Sequence, residues 1–224
     1  MSQTKKPVIF CDFDGTITET DNIVAIMQHF KPEGWEDIVK QIVSQEISVK
    51  DGVGRMFELL PVSRKQEIID FAIRNAKIRS GFAEFVDYCS SHDIELFITS
   101  GGIDFFIYPL LEPYPIPEDH IYCNGSDFFG ETIRIVWPHP CDDECDNDCG
   151  MCKTKIIRSF SKETHYRILI GDSITDFAGA KLVDLIFARS HLKEQCELEG
   201  KPYIAYEDFY TVVEHLERTA KELQ

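Results

Sequence analysis

The sequence predicts an α/β fold, a doubly wound parallel sheet with a small helical cap inserted after the first strand. Three apolar runs of strand length alternate with helical patterns, and they cover residues 8–11, 94–99 and 167–170. Continuous apolar runs are typical of buried parallel strands. Each run ends in polar residues, which are Asp12 with Asp14, Ser100, and Asp172 with Asp176. Ligands of open α/β sheets bind at the carboxyl ends of the strands, so these ends predict one common site.

The segment after the first strand is the predicted cap. Apolar residues recur there at helical spacing from residue 21 to residue 82, and Pro32, Gly34 and Pro61 divide the segment into about four helices. A single crossover between parallel strands needs fewer than four helices. We therefore expect a helical cap at residues 17–82 and an α/β core made of residues 1–16 and 83–224.

The remaining pattern continues the alternation of strands and helices. Helices are expected at residues 81–92, 103–111, 153–160 and 178–182, and from residue 208 onward. A short strand is expected at residues 185–188. Residues 121–137 read as two strands joined through a turn that begins and ends in glycine, which favours a hairpin.

Size and charge narrow the classes of partner. The 224 residues suffice for one buried domain with an inserted subdomain. The formal net charge of −16 disfavours nucleic acid and anionic membrane surfaces as partners. Residues 1–7 lack a secretory apolar core, and no apolar run approaches the length of a membrane span. We expect a cytoplasmic protein, a monomer or homodimer, whose partner is a small metabolite.

Asp12 and Asp14 carry the predicted chemistry. Residues i and i+2 of an extended segment point the same way, so both carboxylates address one small volume. Two such charges need a cation or a shared proton, and Mg²⁺ prefers oxygen ligands. Asp12 is the expected nucleophile and Asp14 the acid and base. The expected Mg²⁺ ligands are Asp12, the Asp14 backbone carbonyl and Asp172, with Asp176 supporting them from behind.

The other strand ends would hold a phosphate. The Ser100 hydroxyl and the Gly101 and Gly102 backbone amides, expected at a helix N-terminus, suit phosphoryl oxygens. Lys153 would neutralise the charge that builds up between nucleophile and phosphate. Lys155 competes for this role, but Lys153 lies at the helix start. Taken singly, each of these motifs also fits a helix cap, a turn or a solvated charge.

Together the motifs resemble those of a known family. Asp-Phe-Asp-Gly-Thr, Thr-Ser-Gly-Gly, a lysine at a helix start and Gly-Asp-Ser-x-x-Asp are similar to the four motifs of the haloacid dehalogenase superfamily of phosphatases. They span Asp12 to Asp176, and the strand pattern covers nearly the whole chain. The Ser-Gly-Gly form and the helical cap resemble the phosphoserine-phosphatase branch. This resemblance implies a Rossmann-like (HAD-like) fold, Mg²⁺ dependence and an aspartyl-phosphate on Asp12.

Three further stretches resemble the phosphatases of bacterial methionine salvage. They are residues 51–57 (Asp-Gly-Val-Gly-Arg-Met-Phe), 104–111 (Asp-Phe-Phe-Ile-Tyr-Pro-Leu-Leu) and 137–141 (Trp-Pro-His-Pro-Cys). The resemblance implies that a small phosphorylated metabolite with a methylthio group is hydrolysed to an acireductone. The alternatives are a phosphatase for another small phosphomonoester, such as phosphoserine or phosphocholine, and a non-catalytic relative that binds phosphorylated ligands.

Several residues of the predicted cap are candidates for substrate contact. Arg55 stands among apolar neighbours in one helix and either reaches the substrate or extends its stem along a buried face. Asp21 falls where the phosphoserine-phosphatase branch carries an acidic substrate contact. A methylthio group could be cradled by Met27, Met56 and Phe57, which equally suit a helical core.

Four cysteines precede Lys153 in a dense cluster. Cys141, Cys145, Cys149 and Cys152 could supply the four thiolates of a structural Zn²⁺ site. Their spacing is not that of a paired zinc knuckle, so free thiols in a surface loop are an alternative. Disulfides are the third alternative, disfavoured in a reducing cytosol.

Overall fold

A seven-stranded sheet runs through the computed structural model, which describes residues 5–222. The strands are β1 (Lys6–Cys11), β2 (Glu95–Ile103), β3 (Ile121–Asp127), β4 (Arg134–Val136), β5 (His165–Gly171), β6 (Leu185–Ala188) and β7 (Ile204–Ala205). Their spatial order is β4-β3-β2-β1-β5-β6-β7. Within the described chain, β4 pairs antiparallel with β3, and every other neighbouring pair is parallel. The predicted fold class is confirmed, and β1 lies at its centre.

Ten α-helices surround the sheet in the described part of the chain. They are α1 (Asn22–Phe30), α2 (Trp35–Val43), α3 (Val49–Glu58), α4 (Lys65–Asn75), α5 (Phe82–Ser91), α6 (Asp104–Leu111), α7 (Lys153–Arg158), α8 (Phe177–Ala180), α9 (Ser190–Leu198) and α10 (Phe209–Glu222). Among residues 5–222, no helix is both long enough and apolar enough to span a membrane.

Both faces of the sheet are buried, as the continuous apolar strands predict. Val8 and Phe10 of β1 pack on one face with residues of α7, α8 and α9, whereas Ile9 and Cys11 pack on the other with residues of α5, α6 and α10. The four side chains have no exposed surface. Alternate residues of a strand point to opposite faces, so one strand supplies two hydrophobic layers.

Helices α1 to α4 form an insertion between β1 and α5, which we call the helical insertion. Its two connections to the sheet pair with each other through a bridge between Thr18 and Ile78. A second attachment joins the loop before α4 to the β3–β4 hairpin: Ile133 N–H donates to the Leu60 carbonyl at 2.9 Å, and Val62 N–H to the Glu131 carbonyl at 2.8 Å. The division into a core at 1–16 and 83–224 and a cap at 17–82 stays a prediction.

The structure corrects three features of the sequence-based elements. Strand β2 does not end at Thr99 but continues to Ile103, with an irregular register between these residues. The sequence pattern does not predict helix α9 or strand β7. Strand β7 has only two residues, too few for a periodic signal, and α9 is largely polar, with Leu192 and Cys196 as its buried residues.

Candidate active site

Asp12 lies directly beyond the central strand. Its N–H continues the β1–β5 ladder by donating to the Ile170 carbonyl at 2.9 Å, which brings the end of β1 beside the end of β5. The residue is 5% exposed. Its Oδ1 accepts a hydrogen bond from the Phe13 N–H at 2.8 Å and lies 2.9 Å from the Lys153 Nζ. A buried carboxylate is thereby held in one orientation.

Three carboxylates meet at this edge of the sheet. Oxygens of Asp12, Asp172 and Asp176 all lie within 4.8 Å of one another. Lys153 Nζ bridges Asp12 and Asp176 from the start of α7, and its side chain is 7% exposed. Lys155 instead donates to the Pro140 carbonyl at 3.3 Å. Of the two lysines, the structure places Lys153 in the cluster.

Asp172 and Asp176 are oriented by their own neighbours. Asp176 Oδ2 accepts from the N–H groups of Asp172 and Ser173 at 3.2 and 3.0 Å, and from the Ser173 hydroxyl at 3.0 Å. Asp172 Oδ1 accepts from the Thr16 hydroxyl at 3.0 Å. Both Asp176 oxygens are engaged within the protein, whereas Asp12 and Asp172 retain acceptor capacity toward a cation.

Gly15 allows the loop after β1 to approach Asp172. It adopts a φ of +75° and a Cβ there would lie 2.3 Å from the Asp172 Oδ2. A side chain at this position would be strained and would also displace the carboxylate.

Asp14 has different partners from Asp12. Its Oδ1 accepts from the Asn22 N–H at 3.0 Å and from the Asn22 Nδ2 at 2.6 Å. Its Oδ2 accepts from the Ser100 hydroxyl at 3.4 Å. The first turn of α1 thus positions Asp14, and the end of β2 brings Ser100 to it.

Burial raises the pKa of three carboxyls of the site, those of Asp12, Asp14 and Asp172. The pKa of Asp12 is raised well above its usual value by burial and by the charge of Asp176. Burial and Asp176 raise the pKa of Asp172 to about 6. Burial and the charge of Asp21 raise the pKa of Asp14 to about 7. Burial opposes the charge of Lys153, but Asp12 and Asp176 outweigh it and raise the lysine pKa.

The structure places the Ser-Gly-Gly segment differently from the prediction. Gly101 and Gly102 belong to β2 rather than to the N-terminus of a helix, because α6 begins only at Asp104. The Gly102 N–H donates to the Ser100 Oγ at 2.9 Å. A Cβ on Gly102 would lie 2.3 Å from the Asp14 Oδ2. The close approach of this backbone to Asp14 therefore requires glycine at position 102.

The predicted substrate contacts of the helical insertion are not part of the carboxylate cluster. Arg55 hydrogen-bonds the Gln41 Oε1 at 3.0 Å, contacts Asp51 at 3.5 Å and is 42% exposed. Asp21 caps α1 by accepting from the Val24 N–H at 2.9 Å. The possible methylthio contacts are buried in the larger hydrophobic core; they are Met27, Met56 and Phe57. Roles for these residues toward substrate stay predictions.

Three residues that support the site were not assigned a role from the sequence. Asn22 holds Asp14, and Thr16 orients Asp172. Arg79, which is buried, donates to the backbone carbonyls of Gly15, Thr16 and Thr18 at 2.8, 2.7 and 3.2 Å. The signal for Arg79 was its charge in the stretch that leaves the helical insertion, and for Asn22 its position just after a capping aspartate.

Comparison with known proteins agrees with this arrangement. The family described as haloacid dehalogenase-like hydrolase matches residues 9–181, which include all the carboxylates and Lys153. The chain belongs to the haloacid dehalogenase-like hydrolase family. Its fold class and the motifs recognised in the sequence are those of that family.

Two relatives in this hydrolase family align over nearly their whole length. The chain is 56% identical to the 2-hydroxy-3-keto-5-methylthiopentenyl-1-phosphate phosphatase of Brevibacillus brevis, covering 98% of this chain and 99% of that protein. It is 53% identical to the Geobacillus kaustophilus protein of the same name, covering 96% and 97%. A solved structure described as a phospho-aspartyl intermediate analogue of phosphoserine phosphatase is 17% identical with a TM-score of 0.69, covering 95% of this chain and 99% of that one. At that identity the likeness concerns the fold.

Proposed function

We propose that this hydrolase is the phosphatase of methionine salvage that acts on 2-hydroxy-3-keto-5-methylthiopentenyl-1-phosphate. The product is the acireductone 1,2-dihydroxy-3-keto-5-methylthiopentene. The observation that carries the proposal is Asp12, buried at the end of the central strand with Lys153 on one of its oxygens and Asp14 two residues on. The full-length identity to proteins of that name supports the choice of substrate.

Mg²⁺ fits the cluster, since its donors are all hard carboxylate oxygens within reach of one ion. Asp12 and Asp172 would hold it directly, with the Asp14 backbone carbonyl, while Asp176 would orient the lysine and the backbone around it. When bound, Mg²⁺ supplies positive charge that stabilises the phosphoryl oxygens. Its charge would also offset the burial and the mutual repulsion that together raise the pKa values of Asp12 and Asp172.

The residues divide the reaction into two steps. An Asp12 carboxylate oxygen attacks phosphorus while the bond from phosphorus to the substrate oxygen breaks, which leaves an aspartyl-phosphate. Asp14 gives its proton to the departing oxygen and then takes a proton from the water that hydrolyses this intermediate. A pKa of about 7 suits both tasks near neutral pH.

Lys153 and Ser100 are the side chains that would contact the phosphoryl group. Lys153 forms an ion pair with Asp12 and would balance the negative charge that the phosphate brings to a buried site. The Ser100 hydroxyl and the Gly101 and Gly102 backbone would contact phosphoryl oxygens. Since the Gly102 N–H now donates to Ser100, binding a phosphate there requires this hydrogen bond to be exchanged.

A phosphate-release assay tests the substrate. We expect the enol phosphate of methionine salvage to be hydrolysed with a kcat/KM at least tenfold above that of phosphoserine or phosphocholine. Preference for either of those compounds would replace the proposed substrate and leave the chemistry in place. Binding of the enol phosphate without phosphate release would favour a non-catalytic relative.

Asp12→Asn tests the nucleophile. The amide cannot form the acyl phosphate, so we expect phosphate release to fall below about 1% of wild type, a loss of more than 10²-fold. A matched control is Asp37→Asn, an exposed site in α2 that pairs with Lys40. Thermal unfolding of both variants checks that the fold survives. Undiminished hydrolysis by Asp12→Asn would reject the assignment.

The state of the cysteines bears on where the protein resides. None of the eight cysteines forms a disulfide among the described residues, which supports a reducing cytoplasmic location. For the assembly we propose a monomer or homodimer, to be measured by light scattering.

A further inference from the structure

Four cysteine sulfurs converge in the segment that leads into Lys153. Residues 137–152 contain no helix or strand, and loops of this length are uncommon unless something else orders them. Within the segment, the Sγ atoms of Cys141, Cys145, Cys149 and Cys152 all lie within 4.8 Å of one another. The loop thus folds around its own thiols.

The spacing of these sulfurs matches a shared ion better than sulfur–sulfur bonds. A disulfide requires about 2.05 Å between its sulfurs, whereas Cys141 and Cys145 are 3.5 Å apart and Cys145 and Cys149 3.9 Å apart. A tetrahedron of four sulfurs at about 2.3 Å from a zinc ion has edges of roughly 3.8 Å. The observed distances lie close to those edges.

Hydrogen-bond donors surround the cluster as they surround bound thiolates. The Cys149 N–H donates to the Cys141 Sγ at 3.3 Å. The Thr154 hydroxyl lies 3.2 Å from the Cys152 Sγ. Donors of this kind hold ligating sulfurs in place and offset their negative charge.

The loop backbone is also shaped to close around the sulfurs. Gly150 has a φ of +82°, and a Cβ there would lie 2.7 Å from the Trp137 ring. Arg158 of α7 forms an ion pair with Asp142 and approaches Glu144 at 3.6 Å. The end of the loop therefore lies against its first residue, and its middle is attached to α7.

We propose that Cys141, Cys145, Cys149 and Cys152 bind one structural Zn²⁺ through four thiolates. Each thiol releases its proton as it binds, and the closed coordination leaves no position for substrate. Cys152 directly precedes Lys153, so the ion fixes the start of α7 and with it the lysine that contacts Asp12.

The same ion would tie the helical insertion to the sheet. Asp148, between two of the ligands, accepts from the Ser48 hydroxyl at 2.7 Å and pairs with Lys50 at 2.9 Å. Ser48 is the N-cap residue of α3. A zinc-ordered loop therefore contacts both Lys153 and the start of α3.

Metal analysis of the full chain tests the proposal independently of any phosphatase activity. Untagged protein, produced in medium that contains zinc and dialysed without chelator, is expected to hold about one zinc per chain. Cys145→Ala and Cys149→Ala should lose it. Cys196→Ala, a buried cysteine of α9, and Asp172→Asn, in the carboxylate cluster, should keep it. Wild-type protein without zinc, or zinc lost in Asp172→Asn but kept in the cysteine variants, would overturn the assignment.

Cobalt substitution of the wild type keeps the test valid if the variants fail to fold. Replacing the bound metal by Co²⁺ should give the visible and sulfur-to-metal absorption of a tetrahedral tetrathiolate site, and protect four cysteines from alkylation. An octahedral cobalt spectrum, or unprotected thiols at full cobalt occupancy, would contradict the proposal. Iron in place of zinc in the purified protein would reject zinc as the ion.

Discussion

Asp14 and Lys153 both belong to the site around Asp12, but their partners differ in charge. Lys153 contacts two carboxylates, Asp12 and Asp176, which keep it charged. Asp14 is held by the uncharged amide of Asn22, so burial raises the pKa of its carboxyl to about 7. One group is a fixed charge and the other can exchange a proton, which is the division that a two-step phosphatase needs.

Asn22→Ala should shift the pH dependence of the reaction. Donation from the Asn22 Nδ2 lowers the pKa of Asp14, so its loss should raise that pKa by roughly half a pH unit or more. Forming the aspartyl-phosphate needs protonated Asp14, so the alkaline limb of kcat/KM should move upward. Full pH profiles measure this, with Asn75→Ala, at the exposed end of α4, as the control. If the alkaline limb of the pH profile does not move in Asn22→Ala, Asn22 does not control the pKa of Asp14.

Lys153→Met and Lys155→Met form a matched pair in the first turns of one helix. We expect Lys153→Met to lower kcat by about 10²–10³-fold, because a buried charge that faces the phosphate is removed. Lys155→Met removes only a contact to the Pro140 carbonyl and should retain activity within about twofold. Steady-state kinetics and thermal unfolding compare the two. Equal losses in both variants would contradict the placement of Lys153.

Residue types and spacing predict which carboxylates and hydroxyls come together, but they do not identify the residues that orient them. Asp12, Asp14 and Asp172 follow strand ends, and Ser100 lies in the carboxyl-terminal half of β2, where an α/β sheet gathers side chains by construction. Asn22 lies eight residues after Asp14, at the start of α1, and reaches it through the path of the turn after β1. Such contacts depend on loop geometry, for which the sequence carries no period.

At the scale of elements, the irregular end of β2 determines how Ser100 reaches Asp14. The strand runs on through Gly101 and Gly102, and its pairing with β3 shifts between Thr99 and Ile103. Gly102 then passes beside the Asp14 carboxylate. An apolar run predicts a strand, but glycines after it suggest a turn, and the bulged continuation follows from tertiary contacts.

Gly102→Ala and Gly101→Ala probe this strand end. A Cβ at 102 would lie 2.3 Å from the Asp14 Oδ2, whereas one at 101 meets no atom within 4 Å. We expect Gly102→Ala to lower kcat at least tenfold by displacing Asp14, and Gly101→Ala to lose much less. Kinetics with a small aryl phosphate and thermal unfolding measure the pair. Equal kcat in both variants would show that Asp14 tolerates the displacement.

The elements that the sequence predicted are those with long, buried patterns. The central strands are continuous apolar runs, and the helices of the helical insertion repeat apolar residues at helical spacing. The structure contains these elements close to the expected positions. Helix α9 buries few side chains, and β7 pairs with Phe187 and Ala188 of β6. Their existence depends on a sheet edge that earlier parts of the chain build.

At the scale of the whole molecule, a net charge of −16 coincides with buried carboxylates. The pKa values of Asp172 and Asp14 are raised from 3.8 to about 6 and about 7. Groups with a raised pKa bind more protons in the folded state than in the unfolded state. The free energy of unfolding of the metal-free protein should therefore fall as the pH rises from about 4 to about 7.

Mg²⁺ should reverse this loss. At 100 times its dissociation constant, an ion that binds only the folded protein adds about 2.7 kcal/mol, or roughly 5–10 °C in Tm for a chain of this size. We expect this gain at pH 7.5 and a smaller one at pH 5, where protons compete for the carboxylates. Thermal unfolding with and without Mg²⁺ measures it, and Asp172→Asn should abolish most of the gain. A gain independent of pH would place the ion elsewhere.

The two backbone hydrogen bonds between Leu60–Val62 and Glu131–Ile133 attach the helical insertion to the β3–β4 hairpin. The bridge between Thr18 and Ile78 joins its two connections to the core. A rotation of the helical insertion about that bridge would either break both hydrogen bonds or carry the β3–β4 hairpin with it. Any movement of the insertion during the reaction is thereby coupled to the edge of the sheet.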